Sequence, residues 1–422
     1  MQKYFPRVYD EVLAKRLEAK GAVLIEGPKW CGKTTTALQQ AKSVLYMQDP
    51  ERKSQNLLLA DIRPSELLKG DTPRLIDEWQ LAVKLWDAVR FEVDNRNEFN
   101  QFILTGSSVP PNLSEVSHTG TGRIARLRMR PMSLWESEDS TGEVSLSALF
   151  AGNEMPIATT GATLEQAAFL TCRGGWPASV GQKERVALQQ AFDYLDAVID
   201  TDISRVDEIG RDRYKARALM RSYARMTASQ ASVESIEQDL KGSDSMSRNT
   251  VQSYLKALRM IFVIEDLPAW NPNLRSCTAI RTSPTRHFAD PSIATSALGI
   301  SPNDLIADLK TFGLLFESLV IRDLRVYADS LDGEVFHYRD KSGLECDAVL
   351  HLRGGSYGLI EVKLGGDALI DEGAKTLIAL KDKIDFDKMR APAFLMVLTA
   401  SSAYSYTRPD GVAVAPITVL AP

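Results

Sequence analysis

The sequence feature that most constrains this chain is the segment AVLIEGPKWCGKTTTALQQAK, which begins at Ala22. An apolar run typical of a buried strand ends at Gly27, a short loop follows, and a helical pattern begins at Lys33. This order and spacing fit G-x-x-x-x-G-K-[ST] in the strand, loop and helix context that the pattern requires. Backbone amides can turn inward in such a loop, and the helix N-terminus behind them favours anions. The segment therefore predicts a phosphate-binding loop in an α/β fold.

The chemistry of this loop predicts ATP with Mg²⁺ as its ligand. Lys33 can reach the β and γ phosphates, and the Thr34 hydroxyl can bind the metal ion. Trp30 and Cys31 stand at variable positions of the pattern and are interpreted as packing within the loop. The alternative is a glycine turn that binds nothing. The residues expected to bind the nucleotide are Gly27, Pro28, Lys29, Trp30, Cys31, Gly32, Lys33, Thr34 and Thr35.

Two acidic residues, Asp77 and Glu78, follow a short apolar strand pattern in the segment LIDEWQ. At this strand end in P-loop ATPases an aspartate helps to hold Mg²⁺, and an adjacent glutamate can polarise the attacking water. We therefore predict that Asp77 binds the metal ion together with Thr34, and that Lys33, Asp77 and Glu78 are catalytic. The alternative is a solvated strand end.

The segment FILTGSS predicts a further strand that ends in hydroxyl-bearing residues, Thr105, Ser107 and Ser108. If this strand lies beside the one that ends at Asp77, a hydroxyl comes near the γ-phosphate and can act as a sensor. The alternative is a simple turn cap.

An arginine-rich strand pattern follows in GRIARLRMRPMSLWE, where Arg123, Arg126, Arg128 and Arg130 alternate with apolar residues. The alternation predicts an edge strand with one basic face. We predict Arg123 as a finger on the γ-phosphate, acting in cis or in trans, and a finger in trans requires a homo-oligomer. A solvated face or a contact with a phosphate backbone is the alternative.

These motifs, followed by CRGGWPASV, together resemble the bacterial and archaeal AAA-type P-loop ATPases that carry a C-terminal domain of unknown function numbered 4143. The resemblance implies an AAA-like P-loop core, a winged-helix-like middle region and a nuclease-like C-terminal α/β domain. We expect the ATPase domain with a helical extension in residues 1–205, the winged-helix-like region in 206–300 and the nuclease-like domain in 301–422.

The middle region contains a helical segment with Asp196, Asp200 and Asp202, interpreted as a solvated face, and then two short helical patterns separated by KGSD. The second pattern runs from about Arg248 to Met260 after a candidate N-cap at Ser247, as in a helix-turn-helix. MIFVIEDL and TRHFAD would supply the strands of a wing. A connector without DNA contact is the alternative. The outward residues able to meet DNA are Arg248, Asn249, Gln252, Ser253 and Lys256.

In the C-terminal third, GLIEVKL places the charges of Glu361 and Lys363 in a strand that is otherwise apolar. The expected order is a helix containing Glu317, three strands, a helix and a strand, which describes an α/β domain with a mixed sheet. A hairpin around Gly354-Gly355 would bring Asp347 to the same end of the sheet as Glu361. The set Glu317, Asp347, Glu361 and Lys363 resembles the PD-(D/E)xK nuclease pattern, with the three carboxylates as metal ligands. The alternatives are a buried ion pair and a nuclease fold that has lost its activity.

Length and composition bound the remaining possibilities. The chain has 422 residues, enough for about three domains, and its 44% hydrophobic and 25% charged residues are ordinary for globular proteins. A net charge of -5 disfavours a uniformly basic nucleic-acid coat but leaves room for a local basic patch. Its four cysteines lack CxxC spacing, and no apolar run is long enough to span a membrane. We therefore expect a cytoplasmic protein without a membrane partner.

The function that the sequence favours is Mg²⁺-dependent ATP hydrolysis, in which the nucleotide state controls a winged-helix and nuclease-like module that acts on DNA. One alternative is a metal-dependent DNA nuclease that is regulated by ATP. Another is a slow nucleotide switch that acts through protein partners, with an inactive nuclease-like domain.

Overall fold

The structure is a computed structural model that describes residues 3–110, 119–241, 245–271 and 283–422. It divides into two compact units. The first comprises Met1–Pro131, Thr201–Arg211 and Lys256–Val263, and the second comprises Met132–Asp200, Asp212–Leu255 and Ile264–Pro422. These limits differ from the three consecutive segments expected from the sequence, because the chain leaves the first unit and returns to it twice.

The helices and strands follow one another in three stretches of the chain. The first contains α1 (Val8–Ala19), β1 (Ala22–Glu26), α2 (Lys33–Leu38), β2 (Ser43–Tyr46), α3 (Lys53–Ile62), α4 (Pro64–Leu67), β3 (Arg74–Asp77), α5 (Lys84–Arg96), β4 (Phe102–Gly106) and β5 (Ile124–Arg128). The second contains β6 (Val144–Ser145), α6 (Leu146–Phe150), α7 (Leu164–Arg173), α8 (Glu184–Ala197), a π-helical turn (Val198–Asp202), α9 (Ile203–Arg205), α10 (Arg213–Arg225), α11 (Val233–Asp239) and α12 (Arg248–Met260). The third contains α13 (Pro291–Leu298), α14 (Pro302–Ala307), α15 (Leu309–Ser330), β7 (Gly333–Arg339), β8 (Glu345–Leu352), β9 (Tyr357–Lys363), α16 (Asp367–Lys383), β10 (Phe394–Thr399), β11 (Tyr406–Thr407), β12 (Ala413–Pro416) and β13 (Leu420–Ala421).

A parallel sheet in the order β2, β3, β4, β1, β5 forms the centre of the first unit. Strands β1 and β4 are apolar and buried at nearly every position, as expected for a parallel sheet with both faces covered. Asp77 of β3 lies opposite Thr105 of β4, and Glu26 of β1 lies opposite Gly106. The carboxyl ends of these three strands therefore meet at one edge, where the phosphate loop, the two acids and the hydroxyl-rich turn all begin.

The core of the first unit lies against this sheet. Leu85, Trp86 and Val89 of α5 are buried, and this spacing gives α5 one apolar side. The rings of Trp79 and Trp86 pack with their centroids 5.1 Å apart. Trp79 belongs to the short 3-10 turn that follows Glu78, so this packing fixes the chain just beyond the two acids.

A mixed sheet in the order β11, β12, β10, β9, β8, β7 belongs to the second unit. Strands β7, β8 and β9 pair antiparallel, whereas β9, β10 and β12 pair parallel. Gly355 has φ +86° in the turn between β8 and β9, so the expected hairpin is present. The predicted order of helix, three strands, helix and strand corresponds to α15, β7 to β9, α16 and β10.

The CRGGWP stretch, for which the sequence offers no chemistry, lies at a buried ionic cluster of the second unit. The Gly175 amide donates to Asp290 Oδ2 at 2.9 Å, and Arg322 Nη1 lies 2.9 Å from the same oxygen. A Cβ atom on Gly175 would stand 2.1 Å from the carbonyl oxygen of Met132. Because Asp290 and Arg322 are both fully buried, the glycine allows the backbone close enough to satisfy a buried carboxylate. The stretch is therefore a packing point.

A short parallel pair joins distant parts of the second unit. Leu420 of β13 lies opposite Val144 of β6, and Ser140 Oγ donates to the Leu420 carbonyl at 2.7 Å. The Val144 side chain is fully buried. The segment of residues 140–145 therefore finds its strand partner and a hydrogen-bond acceptor about 280 positions further along the chain.

The helices expected of a helix-turn-helix are present as α11 and α12, and α12 has the predicted bounds. The Thr250 amide donates to Ser247 Oγ at 3.3 Å, so Ser247 is the N-terminal cap. The expected wing strands are only isolated bridges, Ile264 with Phe288 and Leu267 with Thr285. Across the described ranges, no helix is both long and apolar enough to cross a membrane.

Candidate functional site

The phosphate loop connects β1 to α2 through two constrained glycines. A Cβ atom on Gly27 would lie 2.0 Å from the Met129 carbonyl oxygen, so no larger residue fits without a backbone shift. Gly32, the residue before α2, has φ +99°, a left-handed conformation that side chains rarely adopt. Thr35, also in the first turn of α2, is exposed. The loop thus turns sharply at both ends and leads into a helix N-terminus.

Lys33 lies within the curve of this loop. Its Nζ donates to the carbonyl oxygens of Gly27 at 3.0 Å and Pro28 at 2.7 Å, and the residue is only 6% exposed. These acceptors are neutral, and a phosphate oxygen would make a stronger, charge-assisted hydrogen bond. The Lys33 ammonium group therefore already lies at the loop, and it can exchange the weaker carbonyl acceptors for a phosphate oxygen.

Three oxygens meet beyond the end of β3. Thr34 Oγ1 donates to Asp77 Oδ1 at 2.6 Å, and Thr105 Oγ1 donates to the same oxygen at 2.7 Å. Asp77 is 2% exposed and Thr105 is fully buried. The parallel register of β3 and β4 brings Thr105 beside Asp77, and the first turn of α2 supplies Thr34. Hydroxyl and carboxylate oxygens in this arrangement are hard ligands of the kind that Mg²⁺ prefers.

Glu78 is held by a separate set of polar contacts. Its carboxylate accepts from Ser107 Oγ at 2.9 Å and from the side-chain amide of Gln80. Its backbone has φ +57° and ψ +49°, an uncommon conformation for a residue with a side chain. Of the three hydroxyl-bearing residues considered as sensors at this turn, Thr105 contacts Asp77 and Ser107 contacts Glu78.

Arg7, which the sequence analysis did not identify, holds the phosphate loop through hydrogen bonds to the backbone. Its Nη1 donates to the Cys31 carbonyl at 2.8 Å and its Nη2 to the Arg130 carbonyl at 2.9 Å. Cys31 is fully buried, as expected for loop packing, whereas Trp30 is 50% exposed with φ +64°. Arg7 precedes the motif by 20 positions or more, and no local pattern connects it to the loop.

Arg123 lies away from the phosphate loop. It directly precedes β5, whose first residue Ile124 lies opposite Ala22 at the start of β1, whereas the loop begins after Glu26. Five strand residues separate these ends by about 16 Å. Arg123 Nε donates instead to Asp94 at 2.7 Å. The predicted action in cis is therefore wrong for this arrangement, and the action in trans stays a prediction.

Lys29, at the third position of the loop, forms an ion pair that the sequence does not indicate. Its Nζ lies 2.6 Å from Asp202 Oδ1, at the end of the π-helical turn. The Asp202 side chain is 9% exposed, so its assignment to a solvated face is wrong. The pair connects the phosphate loop to the segment 201–211 within the first unit.

A second group of charges lies in the other unit, between α15 and the β8–β9 hairpin. The register Ala348 with Ile360 places Asp347 next to Glu361 across the two strands. Asp347 Oδ2 accepts from the Val362 amide at 2.8 Å, and Lys363 Nζ lies 2.9 Å from Glu361 Oε2. Glu317 on α15 interacts electrostatically with Asp347 and Glu361. The fold therefore assembles the four residues that the sequence grouped.

Burial dominates the electrostatics of this group. Burial, with the charge of Asp347, raises the pKa of Glu361 to about 8. Burial, with the charges of Asp347 and Glu361, raises the pKa of Glu317. Burial also raises the pKa of Asp347, although the charge of Lys363 and the Val362 amide oppose the shift. Burial alone would lower the pKa of Lys363, but the carboxylates of Glu361 and Asp347 raise it. Burial therefore shifts each of the three acids towards its protonated form, whereas the carboxylates favour the charged form of Lys363.

The same contacts leave no ready metal site. Among the described residues, no group of three or more His, Cys, Asp or Glu side chains is arranged to hold a metal ion. Asp347 is engaged by a backbone amide and Glu361 by Lys363, so these carboxylates bind protein donors. As arranged here, the residues do not fit a metal ion without movement of these side chains.

A glycine-bounded loop between a parallel strand and a helix, with a lysine inside it and a threonine on an aspartate beyond it, defines a P-loop nucleotide-binding domain. Residues 19–138 match the family model described as an AAA domain. An AAA-type P-loop ATPase domain, as the sequence predicts, therefore occupies residues 19–138, most of which lie in the first unit. Residues 164–304 and 312–420 match two domains of unknown function, DUF8612 and DUF4143. The resemblance to AAA-type ATPases that carry domain 4143 is confirmed.

Solved structures give more distant likenesses. The Walker-type ATPase PABY2304 of Pyrococcus abyssi is 15% identical over 70% of this chain and 96% of its own, with a TM-score of 0.41. The Hef helicase domain of Pyrococcus furiosus is 11% identical over 94% of this chain and 90% of its own, with a TM-score of 0.21. No curated protein matches the chain.

Proposed function

We propose that the protein hydrolyses ATP with Mg²⁺ and that its nucleotide state controls the second unit, which acts on DNA. The observation that carries the proposal is the convergence of Thr34 and Thr105 on Asp77 Oδ1, at 2.6 and 2.7 Å, beside a formed phosphate loop. Thr34 and Asp77 would hold the Mg²⁺ of a bound nucleotide, because they offer hard oxygen ligands at one point. The ion would neutralise charge that develops on the β and γ phosphates.

The chain's own residues supply the remaining chemistry. Lys33 would exchange the Gly27 and Pro28 carbonyls for phosphate oxygens and so hold the γ-phosphate in line. Glu78, oriented by Ser107, would accept a hydrogen bond from the attacking water and take its proton. Ser107 would keep the carboxylate pointing at that water.

Steady-state ATP hydrolysis tests this proposal. Lys33→Ala should abolish turnover and weaken nucleotide binding, whereas Glu78→Gln should abolish turnover and leave binding intact. Lys15→Ala, an exposed lysine on α1, serves as the matched control. Binding of ATP without any hydrolysis that these variants reduce would contradict the proposal and favour a slow switch that acts through protein partners.

A second candidate function, a metal-dependent DNA nuclease regulated by ATP, is favoured by the grouping of Asp347, Glu361 and Lys363 in the second unit. Such an enzyme would have to release Asp347 and Glu361 from their present donors before they could bind a metal ion. Cleavage of linear DNA in Mg²⁺ or Mn²⁺ that Lys363→Ala removes, and that Lys375→Ala on α16 retains, would support it. Cleavage that survives Lys363→Ala would contradict it.

A further inference from the structure

A cavity of about 660 Å³ opens beside α10 in the second unit, and we call it the α10 cavity. Its volume lies within the range of roughly 300–1,000 Å³ that is usual for ligand sites. Its walls come from the end of α8, the basic side of α10, the end of α11 and the end of α13. Its polar and aromatic lining consists of Phe192, Asp196, Tyr214, Arg217, Arg221, Arg225, Asp239, Lys241 and Ser296.

Three arginines follow one side of α10. Arg217, Arg221 and Arg225 are four residues apart, so they lie on one face at intervals of about 6 Å along the helix. With Lys241 they place four positive charges in a chain whose net charge is -5. This side of α10 is therefore a local basic stripe.

Acidic residues of the cavity balance only part of this charge. Arg217 Nη2 lies 2.6 Å from Asp196, and Arg225 pairs with Asp239. Both arginine side chains remain nearly half exposed, at 47% and 44%, and exposed pairs of this kind are weak. Arg221 and Lys241 have no acidic partner among the residues that the structure describes. The cavity therefore has positive charge available for an anion.

Aromatic rings stand at the edge of the same stripe. Tyr214 is 72% exposed, and Phe192 is 37% exposed. The Arg213 guanidinium lies over the Tyr214 ring at 5.8 Å, which leaves most of that ring to solvent. A large exposed aromatic beside a row of arginines is the combination that proteins use to stack bases and hold phosphates of single strands.

The lining also extends beyond one nucleotide. A second cavity of about 590 Å³ shares Arg221, Arg225, Leu298 and Gly299 with the first, so the two adjoin along α10. Apolar residues dominate this second part, and its carboxylates Asp304 and Asp308 disfavour a phosphate there. The two adjoining cavities offer one basic part and one apolar part. They therefore suit a ligand with alternating phosphates and bases better than they suit an acidic peptide.

We propose that the α10 cavity binds single-stranded nucleic acid, with phosphates on Arg221 and Lys241 and a base stacked on Tyr214. The inference rests on the proposed action on DNA and assigns the contact to α10, not to the outward face of α12.

Fluorescence anisotropy with the full-length protein and a labelled 20-nucleotide oligo(dT) tests the assignment. Arg221→Glu and Tyr214→Ala should each weaken binding roughly 5- to 100-fold, and the slope of affinity against salt should fall for Arg221→Glu. Arg353→Glu, in the exposed β8–β9 turn, should bind like the wild type. Unchanged ATP hydrolysis in all three variants shows that the first unit is intact.

Three results would overturn the assignment. In the first, both α10 variants bind oligo(dT) as tightly as the wild type while Lys256→Glu on α12 does not, which leaves the action on DNA intact and moves its site. In the second, the mononucleotide dTMP or polyglutamate competes as well as oligo(dT), which points to another anion. In the third, the wild type binds neither single-stranded nor double-stranded DNA, which removes the proposed action on DNA as well and leaves the ATPase proposal untouched.

Discussion

Lys29 Nζ in the phosphate loop lies 2.6 Å from Asp202 Oδ1 at the end of a π-helical turn, 173 residues further along the chain. Both residues belong to the first unit, and the Lys29 side chain is 45% exposed. We expect Lys29, at the third position of the phosphate loop, to contact the triphosphate of a bound nucleotide. The carboxylate of Asp202 and the nucleotide would then compete for one ammonium group.

Asp202→Asn should tighten ATP binding by roughly threefold to tenfold, because the variant removes the competing charge without changing the size of the side chain. Isothermal titration calorimetry measures the effect. Asp200→Asn, an exposed residue that pairs with Arg213, should leave the dissociation constant unchanged. Equal affinities for the wild type and Asp202→Asn would show that Lys29 does not meet the nucleotide.

Ser107→Ala should lower kcat roughly tenfold while the KM for ATP changes little, because the lost hydroxyl orients Glu78 at 2.9 Å and we expect Glu78 to act in the hydrolysis step and not in nucleotide binding. The adjacent Ser108→Ala removes an equivalent hydroxyl without this contact and should retain the wild-type rate. Initial rates of phosphate release distinguish the two. A parallel loss in both variants would point to the turn itself and not to Glu78.

The second unit should lose stability as the pH rises towards 8. Because the folded-state pKa of Glu361 is raised from 4.5 to about 8, the fold favours its protonated form. The stability that the protonated Glu361 carboxyl contributes to the fold is fully present below about pH 4.5. It is lost as the pH rises from there through the folded-state pKa of about 8. Thermal unfolding should therefore show a falling Tm over this window, and Glu361→Gln should flatten the curve. Glu334→Gln, on the exposed side of β7, should retain the wild-type curve, and a flat curve for the wild type would contradict the prediction.

Gly175→Ala should destabilise the second unit by about 1–3 kcal/mol, since the new methyl group would stand 2.1 Å from the Met132 carbonyl oxygen. A loss of this size lowers the Tm by roughly 2–4 °C per kcal/mol in a unit of this length. Gly161→Ala is the matched control, because nothing lies within 4 Å of its Cβ position. Calorimetric scans of both variants decide the matter, and equal Tm values would mean that the backbone at Gly175 can relax.

Features set by local pattern could be predicted from the sequence, and features set by long-range packing could not. A sequence pattern of about 20 residues is enough to predict each of three features: the phosphate loop, the strand before Asp77 and the hairpin that carries Glu361. The prediction that Arg123 reaches the γ-phosphate in cis failed for a physical reason. The alternation of polar and apolar residues shows which face of a strand a residue occupies, but it does not show at which end of the sheet the residue lies. Asp202 and Arg7 contact the phosphate loop from distant parts of the chain. The periodicity of apolar residues in the sequence cannot predict contacts between such distant residues.

The CRGGWP stretch illustrates the same limit. Two glycines before a tryptophan indicate a turn, but the reason for them is the buried carboxylate of Asp290, which lies 115 residues away. In the C-terminal group, the sequence brought Asp347 and Glu361 together correctly. It could not show that a backbone amide and Lys363 already occupy their oxygens.

The pairing of β13 with β6 bears on how the protein is made. Leu420 is synthesised 280 residues after Ser140, which it binds, and it also lies opposite Val144. During that interval of translation the edge of β6 lacks its partner strand, and the Ser140 hydroxyl has no Leu420 carbonyl to bind. The second unit can therefore complete its fold only after synthesis has passed residue 420, so a nascent chain that is stalled earlier presents an open strand edge to its surroundings.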